Sequence, residues 1–340
     1  MRSETFDERK YIYLLKFFAI FSVVCAHSAT VPSDFSSSNQ IVGRILSCIG
    51  VMGVPVFFIV SGYLFCKNNK PFAEFLKGKI TTIIIPWAFC ETIVWFYVVL
   101  RKGGISLTSW GAFLIGINHS TYYLTILILF FILYFNFYRS NIFLVSTIII
   151  SVMSIVLTSF GLDEYNKATI TPYLNPLNWM LYFSLGVLIH KYKLLERIAI
   201  FARKIIIISS TALVLDVFLH IKFDLSYSYW SSFAIVNILI ALFVIFGLAS
   251  ILLDRKAFLL VSIGRLSFSI YLLHELIVGL IIYFSSKYDI WVGTLARPFI
   301  VILLVMTGIY SYTYFARKLK CEKTALLLIG TKPQKQQKIK

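Results

Sequence analysis

Long apolar stretches alternate with short polar gaps along the whole chain. They fall at about 11–30, 46–66, 80–100, 122–138, 141–159, 176–190, 204–221, 230–253, 266–285 and 293–316. A bilayer's hydrocarbon core, about 30 Å thick, takes roughly 20 helical residues to cross. Backbone amides in lipid find no water to pair with, so segments apolar on every side fold as helices. A transmembrane barrel would show segments of about ten residues with alternating polarity instead. The pattern predicts an all-α polytopic membrane protein, a bundle of about ten transmembrane helices. Residues 1–316 form the transmembrane domain, and 317–340 a basic tail expected to fray near the anionic lipid surface. The basic start and Ala26-His27-Ser28 imitate a signal peptide with its cleavage site. Lys16 interrupts that first run and many spans follow, so 11–30 reads as a retained helix.

Composition sharpens this picture. Of 340 residues, 59% are apolar and 14% charged, against roughly 25% charged in a soluble domain. That excludes a soluble enzyme, a disordered chain and a single-anchor protein. The net charge is +17, which in a soluble chain would suggest nucleic acid. Here the basic residues sort by loop. With both termini cytoplasmic, 24 Lys and Arg lie inside, seven lie outside, and Lys16 sits within a span. That asymmetry follows the positive-inside rule. The five cysteines show no metal or disulfide spacing and read as small buried hydrophobes. All external loops are short, which leaves no room for a large extracytoplasmic domain.

Ionisable side chains inside a bilayer are expensive, so each is a functional candidate. They are Lys16, His27, Glu91, Asp216, His274 and Glu275. Asp216, with His220, lies near a span end where water is in reach. Glu91 reads equally well as a hydrogen-bonded structural carboxyl. Lys16 and His27 are the informative pair. Eleven residues at 100° each return to within about 20° of the starting direction, so both project from one face of the first helix. Their axial separation is about 16 Å. A lysine at the cytoplasmic mouth suits a phosphate, and a deep histidine suits a general base. A long carrier such as the pantetheine arm of coenzyme A spans that gap. The plain alternative is a snorkelling lysine and a histidine that caps the helix. In the second stretch Ser61-Gly62 makes a notch among aromatics that fits either a substrate or another helix. The following loop, from Lys67 through Lys77 and Lys79, is basic and amphipathic. It could lie on lipid or clasp a phosphorylated cofactor.

Taken in order, these features resemble the acyltransferase-3 family of bacterial integral-membrane O-acyltransferases. The look is closest to the branch that holds the enterobacterial common antigen O-acetyltransferase. Lys16 and His27 match the family's basic-x10-His helix. Phe57, Phe58, Ser61, Gly62 and Tyr63 match its F-F-x-x-S-G-[YF] segment. His119-Ser120-Thr121-Tyr122-Tyr123-Leu124 is similar to its H-x-W-[FY]-L stretch. Ser267 to His274 resembles S-x-x-I-Y-L-x-H, and Glu91 with Trp95 matches a Glu-x3-Trp pair. The resemblance covers essentially the whole chain. There are departures. Lys16 stands where Arg is commoner and cannot form a bidentate fork. The family's Arg-x-x-Arg is met only by Lys79 and Thr82, with Lys77 nearby, and Tyr13 replaces a frequent aspartate.

The resemblance implies a multi-pass enzyme of the bacterial plasma membrane. It would move acetyl from acetyl-CoA to a hydroxyl of a surface polysaccharide or its lipid-linked precursor. His27 would act as base or acetyl relay, with Glu91 orienting it or the acceptor. Lys16, Lys77 and Lys79 would hold coenzyme A phosphates. Ser61, Tyr63 and Trp95 would line the site, and Tyr122 and His274 would contact the sugar. No metal is expected, because the histidines are scattered without carboxylates at ligand spacing. The rival reading is a transporter or flippase of a lipid-linked sugar. Such proteins often show internal repeats and Gly/Pro-broken helices in corresponding positions, and neither is visible. A polysaccharide polymerase would carry a large external loop.

Overall fold

The structure is a computed structural model. It describes residues 6–102, 106–117, 121–161, 171–225, 228–230, 233–285 and 287–331. Among these residues every regular element is helical. Helix α1 (Glu8–Ser28) starts where Asp7 accepts a hydrogen bond from the Lys10 amide at 2.9 Å, satisfying one of the free donors of the first turn. Helices α2 (Ser37–Gly50) and α3 (Gly53–Phe65) form one apolar rod of 29 residues with a hitch at Val51-Met52. It begins nine residues before the apolar stretch at 46–66 does. Helices α4 (Phe72–Lys79) and α5 (Ile85–Lys102) are joined by a wide π-type turn at Ile80–Ile84. Pro86 offers no N–H to this turn, and Thr81 and Thr82 bond back to the Gly78 carbonyl at 3.0 and 2.8 Å.

Then follow α6 (Leu107–Leu114), α7 (Tyr122–Phe137), α8 (Asn141–Ser159) and α9 (Met180–Lys191). Helices α10 (Leu195–Lys204) and α11 (Ile206–Lys222) meet at a 71° bend. The chain continues through α12 (Ala234–Leu253), α13 (Phe258–Arg265), α14 (Ser267–Ser285), α15 (Trp291–Lys318) and α16 (Glu322–Leu328). Each of the ten apolar stretches coincides with a helix. Among the described residues, seven helical segments are long and apolar enough to cross a membrane, or eight if the bent pair is one span. Helices α7 and α9 are apolar but shorter, at 16 and 12 residues.

The tail departs from expectation. It does not fray after 317, because α16 folds back onto the bundle. Ala325, Leu326 and Ile329 are buried, and Ser269 and Thr331 share a hydrogen bond of 2.7 Å. Residues 332–340 lie outside those described.

The core is built around α1. It packs against α2, α3, α12, α13, α14 and α15, and Tyr11, Leu14, Ala19, Ile20 and Val24 are wholly buried. Side chains such as Ile142, Ile207 and Phe258 are instead largely exposed on the outer helices, as lipid contact requires. A very close crossing joins α3 to α9. A Cβ on Gly62 would meet the Phe183 carbonyl oxygen at 2.2 Å, and one on Gly186 would meet that of Ile59 at 2.0 Å. Small residues here let two backbones touch, which is how helices associate where lipid removes the hydrophobic drive.

Polar contacts gather at the two ends of the bundle. Near the start of α1, Glu8 pairs with Lys67, Lys10 donates to the carbonyls of Leu253 and Arg255, and Arg203 meets Asp254 at 2.5 Å. At the far end Arg44 meets Asp224. There Asp289 accepts from the Ser36 amide at 2.7 Å and from Asn39 at 2.9 Å. Those bonds hold the Asp289 carboxyl below its ordinary range. This clamp stays intact above about pH 4 and is released only as pH falls through the lowered value.

The α3–α9 crossing yields a prediction. Gly62→Val should destabilise the protein by about 1–3 kcal/mol or more, as overpacking of a tight contact does. The readout is the melting temperature and monodisperse yield in detergent. A variant as stable as the parent would show that the two backbones do not meet at Gly62.

Candidate active site

Helix α1 delivers His27 at its C-terminal end, and α14 delivers Tyr271, His274 and Glu275. His27 Nδ1 lies 3.5 Å from Glu275 Oε1. The rings of His27 and His274 meet edge to face at 5.0 Å. Within α14, His274 Nδ1 donates to the Tyr271 carbonyl at 2.6 Å. His274 is buried, whereas the His27 side chain retains 33% exposure. That exposure opens onto a cavity of about 740 Å³.

The cavity has two kinds of wall. Val23, Ala26, Gly50 and Val54 make a small aliphatic side next to His27. Tyr122, Tyr173, Tyr229 and Tyr271 make an aromatic side with hydroxyl edges. Trp179 fixes that side from behind. It stacks on Tyr122 with ring centres 5.6 Å apart, and its Nε1 donates to the Tyr173 carbonyl at 2.9 Å. The hydroxyls of Tyr122 and Tyr229 pair with each other. An imidazole beside a carboxyl group, facing a space of ligand size, can take a proton from a bound hydroxyl.

The other candidate residues distribute unevenly. Tyr122 borders the cavity and His274 adjoins His27. Glu91 is buried on α5, close enough to Glu275 and Tyr271 for their charges to interact. The carboxylate beside His27, however, is Glu275. Ser61 reaches the site at second hand: its hydroxyl bonds Tyr123 at 3.1 Å, and the Tyr123 ring abuts Tyr271 at 5.7 Å. Tyr63 points elsewhere, packing on His190 and beneath Lys67. Trp95 donates to Ser109 at 3.1 Å and ties α6 to α5. His119 and Ser120 lie outside the described residues.

Lys16, Lys77 and Lys79 do not border the cavity. Lys16 is half-buried on α1, and Lys77 is exposed on α4. The Lys79 ammonium sits over the rings of Phe75 and Phe131 at 4.9 and 4.5 Å. A second cavity of about 780 Å³ opens beside the start of α1. Its charged lining is Asp7, Glu8, Glu196 and Asp254 against Lys10 and Arg203. That acidic balance does not suit a cofactor rich in phosphate.

Sequence reasoning noticed Glu275 as an intramembrane acid but gave it no role. It also overlooked Tyr173, Tyr229 and Arg297. Arg297 is buried, and its guanidinium donates to the carbonyls of Ser28 and Thr30 at 3.3 and 2.6 Å. It thereby ties the end of α1, one residue from His27, to α15. The available signal was Arg297-Pro298: Pro298 breaks a helical bond inside an apolar helix, beside the one arginine in that stretch.

A protein-family model described as an acyltransferase domain, Acyl_transf_3, matches residues 9–314. No curated protein and no solved structure matches the chain.

The Arg297 tie can be tested without any assay of function. Arg297→Met keeps the length and removes the donors. It should cost about 1.5–3 kcal/mol per charged hydrogen bond lost, seen as a lower melting temperature. An unchanged melting temperature would mean that Arg297 does not hold the end of α1.

Proposed function

The chain belongs to the acyltransferase-3 domain family, and on that premise we propose that it is an O-acetyltransferase of the bacterial plasma membrane. It moves acetyl from acetyl-CoA to a hydroxyl of a surface polysaccharide or its lipid-linked precursor, as in the enterobacterial common antigen branch it resembles. The observation that carries this reading is His27, which faces a ligand-sized cavity and has Glu275 at 3.5 Å.

In this reading Glu275 orients the imidazole and stabilises its protonated form, as a carboxylate does for a catalytic histidine. His27 takes the proton of the acceptor hydroxyl. The hydroxyl oxygen forms its bond to the thioester carbonyl carbon, and the carbon–sulfur bond breaks. The coenzyme A thiolate leaves and receives the proton from His27. The small wall of Val23, Ala26 and Val54 suits an acetyl group. Lys16, Lys77 and Lys79 hold the phosphates at the opposite end of α1. The roughly 16 Å that an ideal helix places between Lys16 and His27 is a gap the pantetheine arm can bridge.

Support for ten spans with both termini cytoplasmic comes from the loop contacts. Residues assigned inside meet each other, as Glu8 with Lys67, Arg203 with Asp254, and Lys191 with the Arg139 carbonyl. Residues assigned outside do likewise, as Arg44 with Asp224 and Ser36 with Asp289. Reporter fusions after Lys79 and after Arg203 should read cytoplasmic. An external signal after Lys79 would remove the donor side of the scheme. The flippase reading gains nothing from the comparisons or from the geometry.

Mass spectrometry of surface glycans, with and without the protein, tests the reaction: one acetyl per repeat should disappear with the protein. His27→Ala should lower transfer by about 10²–10⁴-fold, and His27→Gln should be equally inactive while inserting normally. Full acetylation with His27→Gln would overturn the assignment. Glu275→Gln should lower kcat by roughly 10²-fold or more, since losing the orienting carboxylate costs up to about 10⁴ in a triad. Neutralising Lys77 and Lys79 together should raise KM for acetyl-CoA and spare kcat. Unchanged donor kinetics would remove those two residues from the site.

A further inference from the structure

The fold gathers side chains that the sequence keeps in two places. His27 ends α1, while His274 and Glu275 are neighbours on α14. One nitrogen or oxygen from each lies within 4.8 Å of the other two. We propose that His27, His274 and Glu275 form a binding site for a zinc ion, and that zinc held there withdraws His27 from acyl transfer. The first half stands on geometry alone; the second rests on His27 being the base.

The donor set selects the metal. Two imidazoles and one carboxylate, with a fourth position open to water, is a recurrent zinc arrangement. Magnesium and calcium prefer oxygen ligands throughout. Bonds of about 2.0–2.2 Å place tetrahedral ligands roughly 3.3–3.5 Å apart. His27 and Glu275 already stand at 3.5 Å, and a donor atom of His274 lies within 4.8 Å of both.

The tautomer of His274 fits as well. The Tyr271 carbonyl can only accept, so the 2.6 Å contact puts the proton on Nδ1. The Nε2 lone pair is therefore the one directed away from the helix backbone. Metal-bound histidines are commonly held by this kind of bond from the second ring nitrogen. Access and the fourth ligand come from the cavity, which both His27 and Glu275 border. Glu275 supplies the single anionic ligand, which offsets half of the ion's charge.

The consequence for chemistry is direct. Zinc takes the lone pair that His27 needs for a proton and sits in the opening where the acceptor hydroxyl would approach.

The test uses the full chain, without a histidine tag, in detergent and stripped by a chelator. Zinc is titrated against a chromophoric zinc indicator, and cobalt is added separately for its absorption in a nitrogen–oxygen site. One zinc per chain is expected, displaceable by chelator. His274→Ala and Glu275→Gln should each weaken binding by at least about 10-fold, in samples that elute normally on gel filtration. Wild-type binding no tighter than that of the His27→Ala, His274→Ala double variant would overturn the site. In the transfer assay, zinc at saturating level should inhibit, and chelator should restore the rate. Zinc that binds but leaves the rate unchanged, or raises it, would overturn the inhibitory half. The titration involves no acyl transfer, so a failure of the base assignment leaves the metal result readable.

Discussion

The placement of α1 at the centre of the bundle is the constraint on which the remaining structure depends. Among the described residues six helices pack on it, and its buried face is apolar apart from Ser22 and Ser28. Two polar residues on this helix are Lys16 and His27, and both must be accommodated near the core. Lys16 stands towards the start of the helix, where polar loops are within reach. His27 stands where α1 ends, and there the neighbours supply a carboxylate, a second imidazole and an opening. A charge or base on a peripheral helix would simply turn towards solvent or lipid headgroups. On a central helix it is held in one orientation by its surroundings, which is what positioned chemistry requires.

The end of α1 is fastened from three sides. Arg297 grips the carbonyls of Ser28 and Thr30. Gly50 of α2 lies so close that a Cβ would meet that of Ala26 at 2.5 Å. Glu275 faces the imidazole itself. These contacts come from α2, next to α1 in sequence, and from the consecutive helices α14 and α15, far from it. Backbone carbonyls at a helix end have no partner within the helix. A buried arginine that satisfies them removes one polar cost with another, and it does so next to His27.

Much of this was legible in the chain. All ten apolar stretches became helices, because in lipid no other backbone solution is available. Their lengths were less legible. Helix α9 needs only 12 residues because it is packed inside, on α3, and internal helices are not obliged to match the bilayer. The α16 turn was missed because its burial depends on a small apolar set, Ala325, Leu326 and Ile329, after a run of basic residues. At the site, His27 stood out from charge and spacing on one helix. Glu275 did not gain a role, because its partner lies on α1 and only the α1–α14 packing reveals it. Tyr63 misled for a periodic reason. Two helical residues turn through about 200°, so Ser61 and Tyr63 cannot face one cavity, and only Ser61 leans towards it.

The same geometry has two chemical outcomes, and the difference between them is what occupies the cavity. A carboxylate beside an imidazole makes it a better base and also a better metal ligand, since both depend on the availability of one lone pair. His274, with its proton committed to the Tyr271 carbonyl, adds a second lone pair at the same spot. A substrate hydroxyl resting between the tyrosine wall and His27 excludes an ion from that position. With the cavity empty, His27, His274 and Glu275 are placed to converge on one ion. On the reaction proposed above, which puts the acceptor against His27 and the donor phosphates at a distance, zinc inhibition should be competitive with the acceptor more than with the donor. Raising acceptor concentration should restore the rate at fixed zinc, while raising acetyl-CoA should not. Relief by acetyl-CoA alone would place the ion on the donor side and away from His27.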